Sequence, residues 1–159
     1  MGFFSRFFRP DQPESESDAQ ISAKGDSAYT LDAASAQAVL AEIDVDTAIS
    51  AHENWKIRLQ NVLDGTSTER LDPARVCKDD QCELGKWLHG AGQKRLGKYP
   101  AFSVLLARHQ FFHAQASTVL ALAQAGDKAK AEQVMNTTYR HGSNQVVILL
   151  RQLKHGLGR

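Results

Sequence analysis

The chain has 159 residues, 42% apolar and 23% charged, with a net charge near +1 and two cysteines, Cys77 and Cys82. This balance excludes a broad nucleic-acid surface and an acidic coat, and two cysteines are too few for a disulfide framework. No apolar run reaches transmembrane length and the start lacks a secretory h-region, so a soluble, cytoplasmic protein in a reducing compartment is expected.

In chain order, Phe3, Phe4, Phe7 and Phe8 share one helical face, with Arg6 and Arg9 nearby. That face suits weak contact with a membrane surface or a partner groove, while a disordered start is the simpler reading. Residues 11–28 are polar, acidic and Ser-rich without an apolar period, which predicts a flexible linker. The expected organisation is therefore an N-terminal extension over 1–28 and one helical domain over 29–159.

Leu31, Ala34, Ala38, Val39 and Ile43 predict a short lead-in helix. The first strong helix is predicted over Val45 to Asp64, with a stripe of Ile49, His52, Trp55, Leu59 and Val62/Leu63, and Gly65 just past its end. Leu71-Asp72-Pro73 starts one short turn of helix. The run Asp79 to Leu88 reads as a cap followed by a short helix, and Gly90, Gly92 and Gly97 as a loose segment. Pro100 opens the second long helix, to about 125, striped by Phe102, Leu105/Leu106, His109, Phe112/His113, Ala116, Val119/Leu120 and Ala123. After Gly126-Asp127 a last helix runs to about 154 on Ala131, Val134/Met135, Thr138, Val146, Leu149/Leu150 and Leu153, with Gly142 interrupting it. The fold class expected is all-α: an antiparallel four-helix bundle with an additional short helix carrying Cys82.

His109 and His113 stand four apart, which places both imidazoles on one helical face. Alone, that spacing is more often a surface or core pair. Both, however, fall on the inward stripe, where ring nitrogens need partners, and a metal satisfies two at once. His52 repeats the pattern on another helix, where a single histidine would ordinarily be a core residue bonded to a carbonyl or carboxylate. Cys82 supplies a fourth donor at a predicted helix start beside Lys78 and Lys86, a setting that favours thiolate, the metal-binding form. An inert buried thiol is the ordinary alternative. Three imidazoles and one thiolate suit tetrahedral Zn²⁺ and fill it, leaving no position for a hydrolytic water. A zinc hydrolase or thiol enzyme is therefore disfavoured. Cys77 is read first as packing, with second ligand or resolving thiol as alternatives. His89 is read as a surface residue, with an outer partner of the site as the alternative. His141 and His155 fit no pattern.

The segments Ala51-His52-Glu53-Asn54-Trp55-Lys56, Cys82-Glu83-Leu84-Gly85-Lys86-Trp87-Leu88 and His109-Gln110-Phe111-Phe112-His113 resemble the chemoreceptor zinc-binding (CZB) domain family. The intervals agree as well: thirty residues from His52 to Cys82, twenty-seven to His109 and four to His113. The resemblance covers about 44–154. It implies a bacterial, cytoplasmic, helical regulatory domain that binds zinc through His52, Cys82, His109 and His113 and tends to form homodimers. It further implies signalling in chemotaxis or cyclic-di-GMP pathways, with the zinc-bound cysteine an oxidant sensor, notably for hypochlorous acid. Trp55, Gly85 and Trp87 match motif positions as packing and turn residues. These 159 residues hold neither chemoreceptor signalling helices nor a cyclase domain, so a stand-alone domain with an unknown signalling partner is expected. An interaction module with purely structural zinc is the alternative.

Overall fold

The computed structural model describes residues 28–158, so the amphipathic start at Phe3, Phe4, Phe7 and Phe8 and nearly all of the expected extension lie outside the described residues. Among them every regular element is helical: α1 (Ala33–Glu42), α2 (Val45–Asp64), α3 (Pro73–Val76), α4 (Glu83–His89), α5 (Ala91–Leu96), α6 (Pro100–Gln124), α7 (Lys128–Val134) and α8 (Arg140–Gly156). A π-helical segment, Met135–Tyr139, joins α7 to α8.

Local chemistry sets most boundaries. Asp44 caps α2 by accepting from the Thr47 amide at 3.0 Å, and Gly65 ends it at φ 71°, a left-handed conformation that glycine adopts without a Cβ penalty. Asp72 caps α3, with Pro73 in its first turn. Pro100 likewise opens α6. Asp127 caps α7 through the Lys130 amide at 3.1 Å.

The bundle is built on α2, α6 and α8. Lys154 meets Asp46 and Arg151 meets Glu53, so α8 runs antiparallel to α2. Thr138 bonds Gln115 and Gly142 lies against Phe111, so the α7–α8 arm is antiparallel to α6 as well. Helices α2 and α6 consequently share a direction, and residues 65–99 carry the chain back between them. Along that return α3 packs on α6, α4 on α5, and α5 on α1. The core between the long helices comprises Leu59, Leu105, Phe112, Val119, Val146, Leu150 and Leu153, all essentially inaccessible.

Three details depart from the sequence expectation. The glycine-containing segment after His89 is not loose but forms α5. Gly92 lets it lie against Trp87, because a Cβ there would fall 2.9 Å from the indole ring. Gly142 does not interrupt α8; it allows close approach to Phe111 of α6. The actual irregularity is the π segment before it. There Tyr139, not Thr138, takes the buried position, and Thr138 faces solvent.

These contacts anchor the segment that carries Cys82. Trp87 Nε1 donates to Glu42 of α1 at 3.1 Å, and its ring meets Phe102 of α6 edge-on at 5.9 Å. Arg95 of α5 pairs with the other oxygen of Glu42. On the opposite side of the return, Ser117 Oγ donates to the Pro73 carbonyl at 2.8 Å and Gln124 donates to the Leu71 carbonyl at 2.7 Å. The stretch 71–96 is thus pinned to α6 at its start and to α1 and α6 further on, with Cys82 between the pins.

Candidate metal centre

His52 projects from the middle of α2, and His109 and His113 from successive turns of α6. All three are buried, at 3%, 0% and 4% exposure. Cys82 sits at the N-cap of α4, half-buried, and its Sγ accepts from the Gly85 amide at 3.3 Å. The sulfur therefore takes the capping place within the Asp79–Leu88 run, in keeping with the helix start expected at Cys82. One donor atom from each of the four residues lies within 4.8 Å of every other.

The contacts inside this group are short. His52 Nε2 is 3.1 Å from His109 Nε2, and His109 Nε2 is 3.2 Å from His113 Nε2. Cys82 Sγ is 3.3 Å from His109 Nε2 and 3.7 Å from His113 Nε2. A tetrahedral zinc with ordinary Zn–N and Zn–S bonds has N···N edges of about 3.3 Å and N···S edges of about 3.5 Å. These four donor pairs already stand near that spacing, and every pair lies within 4.8 Å.

Backbone carbonyls fix two of the imidazoles. His52 Nδ1 lies 2.7 Å from the Ala48 carbonyl and His113 Nδ1 lies 2.9 Å from the Val76 carbonyl. A carbonyl only accepts, so both Nδ1 atoms carry the proton and both Nε2 atoms present bare lone pairs to the centre. Protons can still be shared out without a cation, with Cys82 donating to one Nε2 and His109 Nε2 donating to the other. That arrangement leaves His109 Nδ1 a bare acceptor. This atom is buried without a hydrogen-bond partner, and the group it faces is the Asp79 carboxylate, at 4.0 Å. Two acceptors would then oppose each other in a largely buried setting. A central cation removes the conflict, because every Nε2 becomes a ligand and His109 Nδ1 carries a proton toward Asp79. The residues present therefore fit a bound metal.

Electrostatics agree for the imidazoles. Burial holds His52 down to about 4, against a partial offset from its Ala48 bond. Burial, reinforced by the neighbouring imidazoles, holds His109 down to about 2, and burial also lowers His113. All three are neutral at pH 7, the ligating form. Cys82 goes the other way. Burial raises its pKa more than the Gly85 and Leu84 amides lower it. Lys86 does not serve as the expected thiolate partner: it is exposed and pairs with Glu83 at 3.2 Å. In the protein alone Cys82 is a thiol, and a bound metal would supply the charge that ionises it.

Other candidates separate cleanly. Cys77 is exposed, so packing does not account for it, and it stands outside the cluster with its thiol toward the Ala74 carbonyl at 3.3 Å. His141 and His155 are exposed and stand outside the cluster. His89 is at the surface, yet its Nε2 is 2.7 Å from Asp79. Asp79 itself escaped the sequence reading, since a carboxylate three residues before a cysteine carries no distinguishing signal. Phe112 packs edge-on against His52 and His113 at 5.1 and 5.3 Å and touches Tyr139 of the π segment at 5.5 Å. One side of the site opens into a groove of about 510 Å³ lined by Trp55, Arg58, Arg75, Lys78, Cys82 and His113.

Residues 52–120 match the chemoreceptor zinc-binding domain family, CZB. The match begins on His52 and encloses Cys82, His109 and His113, so the resemblance read from three short motifs and the family match fall on the same stretch. No curated protein and no solved structure matches the chain. The CZB family is by its description a zinc-binding one, and within the matched stretch the four metal-competent side chains converge. No described helix is long and apolar enough to cross a membrane.

Proposed function

We propose that this chain is a cytoplasmic zinc-binding sensory module in which His52, Cys82, His109 and His113 hold one Zn²⁺. The observation that carries the reading is the pair of backbone-fixed tautomers. Ala48 and Val76 aim the bare Nε2 atoms of His52 and His113 at a point shared with His109 and Cys82. Four protein donors complete a tetrahedron, so the reading is regulatory rather than hydrolytic.

Zinc would tie three separate parts of the fold: α2, α6 and the segment between α3 and α4. Losing the metal or oxidising the sulfur would release the Cys82 corner. The two-electron step of the thiolate with hypochlorous acid is Cys–S⁻ + HOCl → Cys–SOH + Cl⁻. The groove beside Trp55 and Lys78 gives such an oxidant a path to Cys82. The change would pass through Phe112 and Tyr139 to the π segment and α8, where a second copy of the chain or a chemotaxis or cyclic-di-GMP partner would read it.

The test has two arms. Purified chain is titrated with zinc against a competing chelator; one tight site that Cys82→Ala weakens by orders of magnitude supports the assignment, and an unchanged affinity refutes it. Zinc-loaded protein is then treated with hypochlorous acid. Zinc release with Cys82 modified supports sensing. Retained zinc with an unmodified thiol leaves a structural zinc module.

A further inference from the structure

We propose that Asp79 is a positioning residue for the metal centre, holding His109 through its Nδ1 and balancing the charge of the loaded site; this rests on the zinc reading above. His52 and His113 each have a backbone carbonyl behind the ring, at 2.7 and 2.9 Å. His109 has none. Its Nδ1 is a buried ring nitrogen without a hydrogen-bond partner, and the Asp79 carboxylate stands 4.0 Å away. Metal-ligating histidines characteristically donate their second ring N–H to a carboxylate or carbonyl, which fixes the ring and raises its basicity. Asp79 is the group placed to accept it.

Two features hold Asp79 there. Its side chain is only 15% exposed, and Oδ2 is bonded by His89 Nε2 at 2.7 Å from the outer side. Its backbone is pressed onto the first turn of α4, where a Cβ on Gly85 would lie 1.7 Å from the Asp79 carbonyl oxygen. Gly85 thus locks Asp79 in place and also donates its amide to Cys82 Sγ. One small residue sets the ligand and the outer carboxylate together. Charge gives a second reason. Zn²⁺ with one thiolate and three neutral imidazoles carries a net positive charge in a buried site, and a nearby carboxylate offsets it.

The test compares wild type with Asp79→Asn, an isosteric change, using zinc competition and the ligand-field spectrum of the Co²⁺-loaded protein. Asp80→Asn, at an exposed neighbour, is the control. Asp79→Asn is expected to lose about 10–100-fold in zinc affinity and to shift the Co²⁺ bands, while metal-free melting stays near wild type. Asp79→Glu recovers part of the affinity, and Asp80→Asn matches wild type. Wild-type affinity and an unchanged Co²⁺ spectrum in Asp79→Asn would overturn the inference while leaving the zinc site intact. Failure of the wild-type chain to take up zinc would overturn the site reading itself, and this inference with it.

Discussion

His52 and His109, fifty-seven positions apart in the chain, meet Nε2 to Nε2 at 3.1 Å between α2 and α6. Neither imidazole reaches water, and His52 already spends its N–H on the Ala48 carbonyl. The pair is thus a meeting of polar groups inside an apolar bundle, which is stable only with the right proton or metal inventory.

Acid should destabilise the metal-free chain through this pair. The folded-state pKa of His52 is lowered to about 4 from 6.5 by burial, so the native state binds fewer protons than the unfolded state below pH 6.5. The stability contribution is complete above that pH and falls as pH drops from 6.5 toward 4. His52 alone accounts for on the order of 2 kcal/mol between pH 7 and pH 5. Urea unfolding of metal-free protein at the two pH values measures it; equal midpoints would contradict buried neutral imidazoles.

Gly85→Ala should be severely disruptive although alanine is the better helix former by about 1 kcal/mol. The new methyl would meet the Asp79 backbone, not a mobile side-chain end. A loss of about 2 kcal/mol or more in stability is expected, with weaker zinc binding. Gly142→Ala meets a Phe111 ring instead, which can yield, so its melting temperature should fall less. The reverse order of the two melting temperatures would argue against the close approach at Gly85.

Zinc removal should loosen a defined segment. Residues 79–82 reach the cluster through Cys82, whereas Trp87 is held independently by Glu42 and Phe102 and Leu88 is fully buried in the core. Amide exchange should accelerate at 79–85 on chelation and stay slow at Trp87 and Leu88. Uniform acceleration through α4 would mean that the metal supports the whole helix.

Much of this was legible in the sequence, for identifiable reasons. Helix α2 was readable to its ends because Gly65 is a specific stop and the stripe ahead of it is regular. The three histidines were conspicuous because each occupies an inward position where a polar ring needs a partner. What stayed hidden depends on contacts between distant segments. The close fit of Gly92 against Trp87 turns an apparent loop into α5, and the carbonyl behind His113 belongs to Val76, thirty-seven positions away. The π segment exchanges Thr138 for Tyr139 at the core. The sign of the Cys82 shift was missed because nearby lysines suggested thiolate, while burial outweighs the amides at its helix end.

The most direct measurement is X-ray absorption at the zinc edge of the loaded full chain. The account predicts one sulfur at about 2.3 Å and three nitrogens at about 2.0–2.1 Å, with the sulfur shell lost in Cys82→Ala. A first shell without sulfur, or one of five or six oxygen and nitrogen ligands, would contradict the four-residue centre.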